Sequence, residues 1–344
     1  MTVFGAETFI NWAPLDTANN DNLINILPGG TSLTFVGPVA GYTILNRILP
    51  TGTTVSGDPR GIAFSGNVSS HLGANDGPTG GNIWFYSPGG IVIGAGSTFD
   101  VGGLVLTTND IDTTDGLFGA GGEIRFRGVA DSLSSVTIEN GATINASNNG
   151  SSYVAMVAPR VVQGGTVTVD GSAAYVAAEQ ADLTINNGLF DIAIGVGTTD
   201  ANGVVHSGTT TGPSSTPTFD ANADAQAIYM VAVPKNDALT MLVGGALGYQ
   251  AAASAAVVNG NVVLSAGANV AATGNVTNAS FAFDKTAADS DSNIELQNVA
   301  FGSSVSTFAT NGIIASTTSQ TDSVIASNTL GTQNILLEAR NRID

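Results

Sequence analysis

Short apolar runs, each too brief for a helix, alternate along this chain with glycine-rich corners. Between Asn82 and Thr108 the runs Ile83-Trp84-Phe85, Ile91-Val92-Ile93, Val101 and Leu104-Val105-Leu106 are separated by Ser-Pro-Gly-Gly, Gly-Ala-Gly-Ser and Gly-Gly. β-Branched residues fill straight edges and glycine supplies corners with φ > 0; repeated, this rhythm winds a right-handed parallel β-helix, an all-β solenoid. Further strand-like runs follow at Phe64–Val68, Glu123–Arg127, Val136–Ile138, Tyr153–Val157, Val167–Val169, Tyr175–Ala177 and Leu183–Ile185. Tyr153–Val157 and Ala173–Ala177 recur about one ~20-residue turn apart, in the range of solenoid repeats. A stack of ~10–15 such coils, at ~4.8 Å per strand, predicts a rod several tens of ångströms long.

Changes in texture divide the chain. Residues 1–55 look irregular over their first fifty positions and are expected to form an N-terminal cap, because a solenoid end must be covered; Phe9, Trp12 and Phe35 are the candidate plugs. Residues 56–197 form the predicted β-helix core. Within 198–260, the Gly/Thr/Ser/Pro/Asp-rich stretch Thr198–Ala227 reads as an excursion away from the coils, and Ala227–Pro234 with Ala238–Val243 as a strand pair joined by Pro-Lys-Asn-Asp. The Ala-rich run Gln250–Ala256 fits either a short helix or a strand. Residues 261–344 resume the coils: Asn261, Asn293 and Asn334 each precede alternating apolar residues, a pattern suited to a corner ladder of asparagines. The last residues, Arg342-Ile343-Asp344, follow such a strand directly, which is expected of the first part of a longer protein.

Composition narrows the class. Of 344 residues only 10% are charged and 43% are hydrophobic, whereas disordered chains pair low hydrophobicity with high net charge. The net charge is −18, and the only lysines are Lys235 and Lys285. No basic stripe exists to neutralise phosphates, so nucleic acid and anionic membrane surfaces are excluded as partners. Cysteine is absent, which suits a chain that crosses membranes unfolded. Met1-Thr2-Val3-Phe4-Gly5 has neither a basic nor an apolar signal region, so an exported form is expected to have lost a leader.

Candidate chemistry is sparse. His71 and His206 are the only histidines, and both have Gly/Ser-rich surroundings that read as loops without a catalytic motif. Alternation in Glu-Ile-Arg-Phe-Arg puts Glu123, Arg125 and Arg127 on one strand face, the best charged cluster for a polysaccharide-cleaving site, but one read first as the solvated face of a half-buried strand. Asp110, Asp112 and Asp115, Asp220 with Asp224, and Asp284 with Asp289 and Asp291 offer hard oxygen ligands, but none forms a complete calcium motif, so no metal residue and no cofactor is assigned. Ser87-Pro88-Gly89-Gly90, with proline at i+1 and glycine at i+2, predicts a type II turn between coil strands.

Several of these segments together resemble the filamentous haemagglutinin type of two-partner secretion exoproteins. The resemblance covers about the first two hundred residues. It rests on Ile44-Leu45-Asn46-Arg47-Ile48, Phe64-Ser65-Gly66-Asn67-Val68, the turn Tyr86–Ile91 and Val101-Gly102-Gly103-Leu104-Val105 with Thr107-Thr108. That family's turn is usually Asn-Pro-Asn-Gly-Ile; this chain keeps Pro88, Gly90 and Ile91 and departs at Ser87 and Gly89. The resemblance implies a secreted, non-enzymatic, adhesin-like exoprotein of a Gram-negative cell surface, exported through an outer-membrane β-barrel transporter. The expected fold is thus a capped β-helix with extra-helical β excursions; the resemblance implies the same N-terminal cap, and transporter recognition by the region holding Asn46, Arg47, Ser87, Pro88, Gly89 and Gly90. The surface ligand is open. Two rival readings stand beside it: a subunit self-associating into filaments through exposed end coils, and a polysaccharide-degrading β-helix enzyme.

Overall fold

The computed structural model describes residues 1–14, 22–148, 152–213, 224–236, 238–250, 260–274, 278–286, 291–315, 326–327 and 335–344. Its strands arrive in the same order on the same faces, coil after coil. The first coil holds β1 (Glu7–Trp12), β2 (Leu23–Leu27) and β3 (Ser32–Gly37); the second β4 (Thr43–Ile48), β5 (Gly61–Phe64) and β6 (Asn67–Leu72). The third holds β7 (Asn82–Tyr86), β8 (Ile91–Ile93) and β9 (Thr98–Val101). The fourth starts at β10 (Gly103–Thr107), departs through β11 (Asp110–Ile111) and β12 (Glu123–Arg127), and returns in β13 (Ser135–Ile138) and β14 (Thr143–Ala146). The fifth is β15 (Ser152–Ala158), β16 (Arg160–Gln163) and β17 (Thr166–Val169). The sixth starts at β18 (Gly171–Ala177), departs through β19 (Gln180–Asn186) and β20 (Leu189–Val196), and closes with β21 (Val204–His206) and β22 (Thr209–Thr211). Next come β23 (Ala227–Ala232) and the long β24 (Leu239–Leu247), then β25 (Asn261–Ala266), an excursion in β26 (Val270–Thr273) and β27 (Ser280–Phe283), and the long β28 (Ser292–Phe301). β29 (Val305–Ala309), β30 (Gly312–Ala315), β31 (Ala326–Ser327), β32 (Ile335–Leu336) and β33 (Arg342–Ile343) complete the series.

Stacking these coils gives a parallel β-helix. The first face is a ten-stranded sheet in the order β1-β4-β7-β10-β15-β18-β23-β25-β29-β32, and every neighbouring pair in it is parallel. The second face runs β2-β5-β8-β13-β16-β21 and the third β3-β6-β9-β14-β17-β22, again all parallel. β24 pairs with both β21 and β22, bending round the corner where the register shifts between Gly244 and Gly245. The expected recurrence is a stacked pair: Val154 lies against Ala173 and Val157 against Val176.

Burial explains which strands alternate. β13 and β14 follow a strict in-out pattern, with Val136, Ile138, Ile144 and Ala146 buried in the bore and the intervening residues facing outward. β15 and β18 are buried at every position, because the first face is covered on both sides, as continuous apolar runs require. Its cover is the excursions. β11, β12, β19, β20, β26 and β27 leave the coils from the first face and form a six-stranded layer in that order, every pair antiparallel. A second core fills the gap, with Trp84, Val105 and Tyr229 from the first face against Ile124, Phe126, Leu183 and Phe190 from the layer.

Several expectations change accordingly. Residues 1–50 are not irregular: they hold β1 to β4, in ladder register with the coils that follow. Phe35 is fully buried in the bore and Phe9 is 46% exposed, while Trp12, 37% exposed, reaches the bore through its Nε1 bond to Asn46. Glu123–Arg127 and Leu183–Ile185 are strands of the covering layer rather than of the coils, a distinction that alternation cannot make because both kinds of strand bury one face. Within Thr198–Ala227, expected to be an excursion, β21 and β22 are coil strands; residues 214–223 lie outside the described residues. β23 and β24 belong to different faces and do not pair with each other. Residues 251–259, most of the Ala-rich run, and Asn334 also lie outside the described residues. Asn261 and Asn293 occupy different faces, but an asparagine ladder does exist: Asn341 Nδ2 donates to Asn311 Oδ1 and Asn311 Nδ2 to Asn293 Oδ1, each at 2.9 Å.

Candidate functional site

Asn46 and Arg47 are neighbours on β4, so they point to opposite sides of the first face. Asn46 aims into the bore, stacked between Ile10 and Phe85, and is fully buried. Its amide is satisfied on both sides: Trp12 Nε1 donates to Oδ1 at 3.0 Å, and Nδ2 donates to the Trp84 carbonyl at 3.2 Å. Arg47 points outward and ties the covering layer to the coil, Nε donating to Asp110 Oδ1 at 2.8 Å and Nη2 to the Ile111 carbonyl at 2.6 Å. Tyr86 stacks on Arg47, and its hydroxyl is pushed up to about 12 by burial first and by the nearby Asp110 second, against the opposing pull of Arg47.

The Ser87–Gly90 turn closes with Gly90 N donating to Ser87 O at 3.3 Å. Positive φ falls on Gly90, at 120°, and not on Gly89, so the turn lacks the i+2 conformation of type II. Gly89 is needed for a different reason: a Cβ there would lie 2.3 Å from the Arg60 carbonyl and from Pro59 O, backbone of the preceding coil. Glycine is therefore a packing requirement at this position. Ser87 is fully buried with its Oγ unpartnered, Gly90 is buried, and Pro88 and Gly89 are half-buried. Four of the six candidate residues thus lie on one corner, with Asn46 and Arg47 on an adjoining coil. The folded protein shows little of this set to a partner.

His206, read as a loop residue, lies on β21 and is buried. Nδ1 is 2.7 Å from the Gly244 carbonyl and Nε2 is 3.0 Å from Thr210 Oγ1, which is also 2.7 Å from the Tyr175 hydroxyl. Because a carbonyl only accepts, Nδ1 carries the proton and Nε2 accepts from Thr210. Burial drives the imidazole down to about 4, with the Gly244 carbonyl opposing it, so the ring is neutral. His71 is likewise on a strand, β6, with Nδ1 3.0 Å from Gly77 O. Strand-length runs flanked by glycine are the normal texture of a coil, which is why both looked like loops.

The Glu123/Arg125/Arg127 face is outward as expected, over buried Ile124 and Phe126. Its charges hold the layer together. Arg125 Nη1 donates to Asp115 at 3.0 Å and Nη2 to the Asp112 carbonyl at 3.2 Å, while Arg127 Nη1 donates to Asp182 at 2.6 Å. The Thr114 hydroxyl and amide hold the Asp112 carboxyl below its ordinary range. Asp110 is engaged by Arg47, Asp284 by Thr286, and Asp220 and Asp289 lie outside the described residues. Among the described residues no group of three or more His, Cys, Asp or Glu is placed to hold a metal ion.

One cluster had no sequence signal beyond the rarity of lysine. Lys235 Nζ donates to Glu179 Oε2 and to Asp131 Oδ1, both at 2.9 Å, and the Glu179 side chain is only 2% exposed. Glu179 Oε1 accepts from Asp131 N, so the loop returning from the covering layer is pinned to the coil after β23.

No protein-family model matches the chain, and no curated protein matches it. Among solved structures it is similar to the crystal structure of a filamentous hemagglutinin secretion domain, with a TM-score of 0.48 and 16% sequence identity over 94% of this chain and 96% of that one.

Proposed function

We propose that this chain is the export-directing part of a secreted exoprotein of two-partner type, with an outer-membrane β-barrel transporter as its export partner and adhesion at a Gram-negative cell surface as its work. The observation that carries the reading is the way the resembling motifs stack. Ile44 lies against Ile83 and Ile83 against Leu104, Phe64 against Ile93, and Val68 against Phe99, so segments distant in sequence share three adjoining coils. A coil that contacts only its neighbours can also form as the chain leaves a pore, without waiting for distant sequence. No catalytic work is assigned, since Glu123, Arg125 and Arg127 are spent on ion pairs within the layer.

Burial of Asn46, Ser87 and Gly90 adds a mechanistic condition. Their recognition by a transporter takes place on the unfolded chain, and folding then hides them. Replacing Pro88 and Gly90 together abolishes export in cells carrying the partner transporter; export at the wild-type level discards the recognition role. Gly208→Ala serves as the control, because a Cβ there meets Gly165 O at 2.2 Å, far from the candidate residues. This control lowers the yield of folded protein while leaving passage through the transporter intact.

A further inference from the structure

We infer that the bore of the first two coils is a binding site for an uncharged hydrocarbon chain. Inward positions of the first coil are less covered than their stacked successors: Ile10 is half-buried where Asn46 and Phe85 below it are closed off, and Leu33 is half-buried above fully buried Val68 and Phe99. The space left open is a cavity of about 600 Å³ walled by Trp12, Ile26, Leu27, Leu33, Phe64 and Phe85, within the range of sites that enclose small ligands.

The chemistry of the wall selects the ligand. Among the described residues no charged side chain lines the cavity, and the two amides there are engaged: Asn46 by Trp12 and the Trp84 carbonyl, Asn25 by Ser65 Oγ at 3.0 Å. A sugar, phosphate or cation entering this space loses its hydration with nothing to replace it. An aliphatic chain loses nothing and buries apolar surface on both sides, in a space that water has little reason to occupy. Trp12, held by its Nε1 bond to Asn46, lines the mouth, while Trp84 faces the second core on the other side of the first face. The inference does not depend on the export reading.

Bromodecanol, a short-range quencher of tryptophan, and its bromine-free analogue decanol test it on the whole chain. Wild type shows saturable quenching by bromodecanol and an upward shift of the melting temperature with decanol. Trp12→Phe keeps the apolar wall, so the saturable quenching is lost and the melting shift remains. Ile26→Glu puts a charge in the wall and loses both, with a β-type circular dichroism spectrum confirming that it folds; should it not fold, the wild-type and Trp12→Phe pair decides alone. Equal quenching in wild type and Trp12→Phe assigns the chain to another site and overturns the inference. Absence of both quenching and shift in wild type, the result if something else fills the bore, also overturns it.

Discussion

Gly89 and His206 are two residues whose roles follow from what lies above and below them in the stack. A methyl group at Gly89 meets the backbone of Pro59 and Arg60, which cannot move without opening the coil. Gly89→Ala is therefore expected to cost roughly 2–4 kcal/mol, against almost nothing for Gly29→Ala, where the nearest atom is Ser65 O at 3.7 Å; urea unfolding midpoints compare the two. His206 carries a pH dependence whose sign follows from burial. Unfolded, the ring takes a proton near 6.5, and folded only near about 4, so its contribution is complete above the first value and is lost as pH falls toward the second. That loss amounts to about 3 kcal/mol. In His206→Gln, which can still donate to the Gly244 carbonyl, this component of the acid slope disappears, as unfolding at stepped pH values will show. The Ser87–Gly90 turn was legible as a turn because proline and glycine impose it, but its burial was not, since the coil that packs on it lies almost thirty residues upstream at Arg60.

Among elements, the coil strands and the covering layer divide the work. Runs such as Val136–Ile138 announced a half-buried strand and were one. Glu123–Arg127 announced the same thing, yet pairs antiparallel with β19 outside the coils; nothing local separates the two cases, because the partner is set by the path of the chain. The uninterrupted apolar run of Tyr153–Ala158 held the clue to a second layer, since only a sheet covered on both faces needs it. Lys235 joins the layer's return loop to the coils through Asp131 and Glu179. Removing the lysine strands a buried carboxylate, whereas removing both charges does not. Lys235→Ala alone is thus expected to destabilise more than Lys235→Ala combined with Glu179→Gln, measured as a double-mutant cycle in urea.

At the scale of the molecule, ten strands stacked at ~4.8 Å give a first face roughly 45 Å long, close to the lower end of what the repeat spacing suggested. Solenoid contacts are local in space, each coil touching the next, even where a covering excursion makes them distant in sequence. That geometry puts Val162 of β16 beside Val205 of β21 on the outside of the second face, and Leu242 of β24 one further coil away. The chain has no cysteine of its own to interfere, and stacked parallel neighbours fall within the ~4.4–6.8 Å Cα separation that a disulfide spans, whereas positions two coils apart do not. The decisive measurement is oxidation of two folded double variants. Val162→Cys with Val205→Cys is predicted to close a disulfide within one chain, and Val162→Cys with Leu242→Cys to stay reduced; the opposite pattern, or no bridge in either, contradicts the parallel stack.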